Sequence, residues 1–246
     1  MNYYRTIWIS DIHLGTKACQ SKYLLNFLKH NDSEKLYLVG DIIDGWALKK
    51  KWYWPQSHND VIQKILRKSR KGTKVIYIPG NHDEAVRQFY NLRFSEIKIL
   101  KEAIHKTKTG KKLWVTHGDQ FDAFRRVTKI LELIGDGLYT FITWINEKLN
   151  KIREKYKKNY WSFSSHIKSK ISNVNEYISS YEKFMLRESK LKGCDGVVCG
   201  HIHLPSIKKM KDGIYLNDGD WVEHLSALVE TKEGELKIIY WVKLEN

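Results

Sequence analysis

The sequence predicts an α/β fold in which two sheets pack face to face and helices cover their outer faces. First, short apolar runs rich in β-branched and aromatic residues alternate with helical stretches in the N-terminal third of the chain. Second, strand-like runs follow one another closely after residue 195, with glycines in the turns between them. Third, five of the apolar runs are each followed by a short polar cluster, as buried strands are followed by loops.

The elements are predicted from these patterns in chain order. Those of the N-terminal part are a strand at 5–10, a helix near 20–30, a strand at 35–40, a helix near 58–71 and a strand at 73–79. Shorter strands are predicted at 97–100, 103–107 and 112–116. The C-terminal strands are predicted at 195–199, 206–210, 213–217, 225–231 and 235–243. Their close spacing indicates an antiparallel meander.

The segment 120–190 is predicted to be a helical hairpin inserted into a single domain that spans 1–246. It contains no proline, and apolar residues from Phe121 to Ile152 recur at steps of three and four. A second helical stretch is predicted from about 164 to 190. The apolar faces of this hairpin either pack on each other and on the body of the protein, or form a lid over the ligand site.

Composition indicates a globular protein of ordinary type. Hydrophobic residues make up 42% of the chain and charged residues 29%. No apolar run approaches the roughly 18 residues of a membrane-spanning helix, and the start of the chain leads directly into a strand, so no signal peptide is expected. The three cysteines, Cys19, Cys194 and Cys199, lack CxxC spacing. They argue against a disulfide framework or a zinc ribbon and fit a reducing cytosol.

The formal net charge of +15 is high. It favours an anionic partner, whether nucleic acid, an anionic membrane surface or a phosphorylated substrate. The alternative is that the charge serves solubility only. Basic residues are dense between Lys101 and Lys112 and again between Lys148 and Lys170.

The polar clusters are the most informative part of the sequence. They are Asp11–His13, Gly40-Asp41, Gly80–Asp83, His117–Asp119 and Gly200–His203. Nearly all of their members are metal-ligand or proton-transfer residue types. Because open α/β sheets bind ligands beyond the carboxyl ends of their strands, we expect the five clusters to meet.

The clusters supply seven oxygen or imidazole donors, which predict a metal site. These donors are Asp11, His13, Asp41, Asn81, His117, His201 and His203. A mixed set without thiolate suits Mn²⁺, Fe²⁺ or Zn²⁺. Seven donors are too many for one tetrahedral ion and suit two divalent ions that share a carboxylate, for which Asp41 after Gly40 is the natural choice. Two ions about 3.5–4 Å apart hold a hydroxide for in-line displacement at phosphorus.

His82 and Asp83 are the predicted catalytic residues. His82 follows the ligand Asn81 directly, so the two side chains are not expected to share a direction. A histidine beside the metals can donate a proton to the leaving oxygen or stabilise charge in the transition state. Asp83 follows His82 and is expected to orient it, as carboxylates orient imidazoles elsewhere.

The order D-x-H, G-D, G-N-H-D, H-G-D and G-H-x-H resembles the calcineurin-like metallophosphoesterase superfamily. The resemblance implies a four-layer α/β/β/α sandwich of two mixed sheets and two divalent ions, with Mn²⁺ expected. It implies one ion held by Asp11, His13, Asp41 and His203, and a second held by Asp41, Asn81, His117 and His201. It also places His82 at the catalytic-histidine position of the family.

A narrower resemblance is carried by Gly40–Trp46, His117–Asp122, Gly200–Pro205 and Asn217–Glu223, together with the helical insertion. These segments resemble the UDP-2,3-diacylglucosamine pyrophosphohydrolase-like group, which forms UMP and 2,3-diacylglucosamine 1-phosphate in lipid A synthesis. The resemblance implies a nucleotide-diphospho-lipid substrate, acyl chains carried by the insertion, and a cytoplasmic protein peripheral to the anionic inner face of the membrane.

One departure keeps an alternative substrate open. The best-studied branch of that group carries arginine where this chain has His82. The alternative is therefore a metal-dependent phosphodiesterase or phosphatase of the same superfamily that acts on another nucleotide or on nucleic acid. Nucleic acid is disfavoured because the aromatic residues of 120–190 are spaced for helix packing and not as a stacking platform. A scaffold protein on the same fold is disfavoured because all seven ligands are present.

Further polar residues lie close to the clusters. Asp44, Asp119 and Asp122 either hydrogen-bond ligating histidines or cap turns and helices. Asp122, Lys168 and Lys170 are the candidate substrate-binding residues, the two lysines for a diphosphate, although exposed lysines are usually only solvated.

The loop that carries Asp218, Asp220 and Trp221 also leaves two readings open. Either the loop reaches the metal site, or it only closes the predicted meander.

Overall fold

The computed structural model describes residues 1–119 and 172–241, which form two mixed sheets with helices on their outer faces. The strands are β1 (Asn2–Ile9), β2 (Asn31–Leu38), β3 (Lys74–Tyr77), β4 (Arg93–Phe94), β5 (Ile97–Ile99), β6 (Ala103–Lys106), β7 (Lys112–Val115), β8 (Gly196–Cys199), β9 (Ser206–Met210), β10 (Gly213–Asn217), β11 (Ser226–Glu230) and β12 (Leu236–Tyr240). The helices are α1 (Ser21–His30), α2 (Gly45–Lys50), α3 (Gln56–Arg70), a 3-10 helix (Glu84–Phe89) and α4 (Ser172–Leu191).

Both sheets combine a parallel centre with antiparallel edges. The first has the strand order β12-β11-β1-β2-β3-β5-β4, and β1, β2, β3 and β5 run parallel. The second has the order β6-β7-β8-β10-β9, and β7, β8 and β10 run parallel. The parallel strands of each sheet therefore end at one edge, where the loops that follow them meet.

Alternating side chains on the strands divide the interior into three apolar layers. On β1, Ile7 and Ile9 pack with the residues of α1 and α3, while Trp8 packs between the two sheets. On β8, Val198 faces the first sheet and Val197 packs with residues of α4. The predicted α/β/β/α layering is thus confirmed.

The predicted C-terminal meander is wrong. Strand β10 pairs in parallel with β8, and the β11–β12 hairpin belongs to the first sheet, where β11 is antiparallel to β1. All five residues of β11 are buried, as expected for a strand covered on both faces within a sheet. Close spacing along the chain indicates that strands exist, but it does not indicate which sheet receives them.

The predicted insertion at 120–190 is described only from residue 172, as α4. Tyr181, Met185 and Leu186 of this helix are buried against the second sheet. This helix therefore belongs to the outer layer of the sandwich. Residues 120–171 lie outside the described residues, and so do Asp122, Lys168 and Lys170. No helix in the described ranges combines the length and the apolar character needed to cross a membrane.

A buried charged cluster ties the first sheet to the loop after β6. The Glu230 carboxylate accepts hydrogen bonds from Arg5 Nη1 (2.6 Å) and the Lys108 N–H (2.7 Å), and it lies 2.9 Å from His105 Nε2. Burial alone would raise the pKa of Glu230, but the bonds from His105, Lys108 and Arg5 hold that pKa at about 2. The carboxylate is therefore ionised over the physiological pH range.

We expect Glu230→Gln to lower the free energy of unfolding by about 1–3 kcal/mol near neutral pH, because Arg5 loses a charged acceptor. Since the folded pKa lies below the ordinary 4.5, this stabilisation is present above about pH 4.5 and is lost as the pH falls towards 2. Urea unfolding at about pH 7 and about pH 3 measures it, with the exposed Glu34→Gln as control. An equal loss of unfolding free energy in Glu230→Gln at both pH values would contradict a stabilising role of the ionised carboxylate.

Candidate metal centre

Loops from both sheets bring the predicted ligand types together. Three groups of titratable side chains each place their ligand atoms within 4.8 Å of one another. They are Asp11, His13 and His203; His13, Asp41 and His82; and Asp41, His117 and His201. His13 and Asp41 each belong to two groups, so the three groups form one continuous centre.

The imidazoles of this centre face its carboxylates. Nε2 of His203 lies 3.1 Å from Oδ1 of Asp11, and Nε2 of His117 lies 3.3 Å from Oδ2 of Asp41. Nε2 of His13 lies 4.0 Å from a carboxylate oxygen of each aspartate. Atoms that each lie about 2.0–2.2 Å from one ion are separated by roughly 3 Å, so the shorter distances fit shared metal ions.

Buried polar atoms without partners support the same conclusion. Within the described ranges, Asp11 Oδ1, His13 Nε2, Asn81 Oδ1 and His117 Nε2 are buried and have no hydrogen-bond partner. A buried polar atom without a partner costs about 1–3 kcal/mol. Four of them at one place, all oxygen or imidazole nitrogen, fit divalent metal ions as the missing partners.

Hydrogen bonds on the far side of two imidazoles set their orientation. Nδ1 of His117 lies 2.7 Å from the carbonyl oxygen of Val39, and Nδ1 of His13 lies 3.0 Å from Oδ2 of Asp44. Donation of the Nδ1 proton to these oxygens leaves the lone pair of each Nε2 directed at the centre. Both imidazoles are therefore oriented as metal ligands would be.

Asp41 has the arrangement that a bridging carboxylate requires. Its Oδ1 accepts a hydrogen bond from the His82 N–H (2.9 Å), while its Oδ2 faces His117 and His13. Burial would raise the pKa of Asp41, but the neighbouring His117 and His13 hold it well below its ordinary value. The carboxylate is ionised and is shared by two of the three groups.

The backbone is strained at most of these ligands. Five of them have positive φ angles: Asp11 (48°), His13 (53°), Asp41 (52°), His201 (68°) and His203 (51°). A residue with a β-carbon held in the left-handed region costs of order 1–3 kcal/mol, and such residues concentrate at functional sites. The surrounding sandwich therefore imposes the direction of these side chains.

Gly200 shows how tightly the ligands are packed. A β-carbon at this position would overlap the Ser10 hydroxyl and the Asp11 carboxylate. We expect Gly200→Ala to displace Asp11 and to lower metal affinity by roughly 10–100-fold. This is the usual effect of losing a residue that hydrogen-bonds a metal ligand. Titration with Mn²⁺ measures this effect, and Asp212→Ala, at an exposed position, is the control. Unchanged Mn²⁺ affinity in Gly200→Ala would mean that the loop around residue 200 relaxes to accommodate the added carbon.

The hydrogen bonds of Asp83 differ from the predicted ones. Its carboxylate accepts from the Ile42 N–H (2.9 Å), the Gly80 N–H (2.5 Å) and the Tyr77 hydroxyl. Asp83 therefore joins the loops after β2 and β3 and does not orient His82. Side chains of adjacent residues point in different directions, so the position of Asp83 next to His82 in the sequence does not place the two side chains in contact.

Asp44 takes the role that was predicted for Asp83. Its Oδ2 lies 3.0 Å from Nδ1 of His82 as well as from Nδ1 of His13, and its Oδ1 accepts from the Ala47 N–H (2.7 Å) at the start of α2. Both readings left open for Asp44, a partner of histidine and a helix cap, therefore hold at once.

The His82 side chain is more exposed than those of His13, His117 and His203 at the same centre. Its side chain is 27% exposed, against 10% for His13, 1% for His117 and 15% for His203. The Trp46 ring lies 4.4 Å from the His82 ring. His82 therefore lies at the candidate metal centre and is accessible from solvent.

The loop after β10 reaches the site through Ser10, which the sequence reasoning did not identify. The Ser10 hydroxyl contacts Oδ2 of Asp11 and lies 2.7 Å from Oδ1 of the buried Asp218. Asp220 accepts bonds from backbone N–H groups of its own loop, and Trp221 packs in the core. Asp218 thus supports Asp11, while the other two residues close the loop.

Asp119 forms an ion pair with Arg87 of the 3-10 helix at 2.5 Å. It therefore fixes the loop after β7 to the loop after β3. No signal in the sequence paired these two residues.

The sequence profile of the calcineurin-like phosphoesterases matches residues 4–205. The chain belongs to the calcineurin-like phosphoesterase family. The fold and the donor set agree with this membership, which makes the protein a metal-dependent phosphoesterase of a family that uses two metal ions.

Curated relatives share one name. The UDP-2,3-diacylglucosamine hydrolase of Neisseria meningitidis serogroup B is 24% identical over 234 residues, covering 90% of this chain and 92% of that protein. The enzyme of the same name from Histophilus somni is 31% identical over 121 residues, covering 47% of this chain and 49% of that protein. The relationship therefore extends over nearly the whole chain at modest identity.

Solved structures add little to this relationship. A solved archaeal phosphodiesterase is 12% identical, with a TM-score of 0.44 over 95% of this chain and 98% of its own. This similarity is too low to support an argument about function.

Proposed function

We propose that this phosphoesterase hydrolyses the diphosphate of UDP-2,3-diacylglucosamine and releases UMP and 2,3-diacylglucosamine 1-phosphate. The observation that carries the proposal is the continuous centre in which Asp41 is shared between groups of buried ligand atoms. Relatives that cover nearly the whole chain and carry the name of this activity supply the substrate.

The ligands are proposed to fall into two sets, as the family resemblance implies. Asp11, His13, Asp41 and His203 would hold one ion, and Asp41, Asn81, His117 and His201 the other. Two divalent ions, proposed to be Mn²⁺ with Fe²⁺ or Zn²⁺ as alternatives, supply a hydroxide nucleophile and neutralise phosphate charge when bound. The strained loops hold the ligand atoms in place, so little reorganisation accompanies the reaction.

His82 is proposed as the proton donor. It lies at the edge of the centre, more exposed than the buried ligands, with its Nδ1 3.0 Å from Asp44. This contact directs the opposite nitrogen, Nε2, away from Asp44. A proton delivered by His82 to the departing phosphate oxygen would lower the barrier to cleavage of the bridging P–O bond.

The proposed partners follow from substrate and charge. A net charge of +15 favours a peripheral position on an anionic membrane face at the cytoplasmic side, where a diacylated substrate would be met. Asp122, Lys168 and Lys170, which lie outside the described residues, remain proposed contacts to the substrate, the two lysines to its diphosphate.

The proposal is tested with the full chain, Mn²⁺ and UDP-2,3-diacylglucosamine. We expect metal-dependent release of UMP, measured by chromatography, and much slower release from the unacylated UDP-sugar. Hydrolysis of a small chromogenic phosphodiester serves as a control for an active metal centre. Cleavage of the chromogenic diester without any UMP from the lipid would exclude the lipid substrate and leave the phosphoesterase in place.

A second candidate is a phosphodiesterase that acts on another nucleotide or on nucleic acid. The net charge and the presence of His82, where the best-studied branch of the lipid enzymes carries arginine, favour it. Binding to single-stranded DNA or RNA should then weaken steeply with salt, because released counterions drive such binding. Neither binding nor cleavage of these polymers would exclude the nucleic-acid form of this candidate.

A further inference from the structure

An apolar cavity of about 370 Å³ lies between α3, the 3-10 helix and the β4–β5 hairpin. Apart from Tyr77 and Arg93, every residue that lines it is aliphatic or a phenylalanine. The Tyr77 hydroxyl is already bonded to Asp83. A cavity of this size falls in the range of roughly 300–1,000 Å³ that is typical of small-molecule sites.

The cavity opens onto exposed apolar side chains. Phe89 is 45% exposed, Leu92 is 56% exposed and Phe94 is 63% exposed, and all three line the cavity. Single exposed apolar residues are common, but a cluster around an apolar cavity is typical of a binding site.

A basic groove adjoins the mouth of the cavity. Gln63, Leu66, Arg67, Arg70, Phe94 and Ser95 line it, so Leu66 and Phe94 belong to both spaces. Arg67 and Arg70 are exposed, and neither side chain has an acidic partner in the described part of the chain. The one acidic residue of the β4–β5 turn, Glu96, lines neither space.

We propose that the cavity and the groove together bind an anionic amphiphile. One hydrocarbon chain occupies the apolar cavity, and the negatively charged head lies against Arg67 and Arg70. Arginine forms paired hydrogen bonds with carboxylate or phosphate, which suits an anionic head group.

The lining disfavours other occupants. A peptide segment in the cavity would bury backbone N–H and C=O groups where almost no hydrogen-bond partner exists, which is unfavourable. A polar metabolite would meet the same obstacle. A hydrocarbon chain carries no group that needs a hydrogen bond, so it gives up no hydrogen bond on entry.

This site is separate from the metal centre. Ile42 and Tyr77 form part of the cavity wall, and Asp83 bonds both of them on the side of the metal loops. The inference therefore does not depend on the proposed substrate, and its test can fail while the hydrolase assignment stands.

The first test uses isothermal titration of the full chain with myristate, and flotation with phosphatidylglycerol and phosphatidylcholine vesicles. We expect saturable binding of one myristate per chain, or selective binding to the anionic vesicles. Binding of myristate would indicate a soluble amphiphile, and selective binding to the anionic vesicles would indicate a membrane lipid.

The double variant Arg67→Gln with Arg70→Gln should weaken the binding at least tenfold. Lys209→Gln with Lys211→Gln removes the same charge at β9 and its turn and should leave it unchanged.

The second test fills the cavity. Val86→Phe places a larger apolar side chain on its wall and should abolish binding of the chain, with the melting temperature and the hydrolysis of a small chromogenic diester preserved. Leu92→Ser at the mouth is a second variant that should weaken binding if Val86→Phe does not fold. Absence of binding to either probe, or unaltered binding in the variants, would overturn the proposal.

Discussion

Replacing Asp41 with alanine is expected to release the bound metal ions and to reduce the rate of hydrolysis. The reduction should exceed the roughly 10–100-fold that is typical when a residue that hydrogen-bonds a metal ligand is lost. Asp41 is the carboxylate that two ligand groups share, so its removal affects both proposed ions. It would also remove the carboxylate that faces Nε2 of His117 and of His13. Metal content per chain, measured by mass spectrometry beside the hydrolysis rate, tests this prediction.

Asp212→Ala is the matched control for Asp41→Ala. Asp212 is an exposed aspartate whose partner, Lys190, is also exposed, so its loss should change neither metal content nor rate. Full metal content in the Asp41 variant would show that the ions are held by the other ligands without a bridge.

Replacing His82 with alanine is expected to lower turnover by about 10²–10⁴-fold, the usual contribution of a positioned acid, with metal content unchanged. His82 is 27% exposed and lies beside the centre, next to Asp44 and Trp46. Stopped assays on the metal-loaded variant measure turnover, and elemental analysis measures metal content in the same sample.

A competing role for His82 is built into the geometry. Its ring nitrogen lies within 4.8 Å of ligand atoms of His13 and Asp41, which is close enough for a shared ion. Loss of metal from the alanine variant would therefore make His82 a ligand. His30→Ala, which removes an exposed histidine at the end of α1, controls for the loss of an imidazole as such.

Most of the candidate metal centre could be predicted because its information is local. Each ligand cluster follows an apolar strand, and residue type alone marks Asp11, Asp41 and His117 as donors at strand ends. Parallel pairing then brings these ends to one edge of each sheet. The prediction therefore needed only the strand positions and not the three-dimensional arrangement.

What could not be predicted depends on contacts between distant segments. Ser10 looked like the last residue of a strand, and its role appears only when Asp218 approaches it across the fold. Asp83 sits next to His82 in sequence but bonds to the loop after β2. The pairing of β11 with β1 likewise joins segments from opposite ends of the chain, which no local sequence pattern records.

Left-handed backbone at the candidate ligands implies a conflict between thermal stability and activity in this protein. The residues concerned are Asp11, His13, Asp41, His201 and His203. A glycine at any of these positions would relieve the backbone strain but would also remove a candidate ligand. Selection for thermal stability alone would therefore remove the ligands one by one. Folding free energy is therefore held in these loops, where it keeps the side chains aimed inward before any ion arrives.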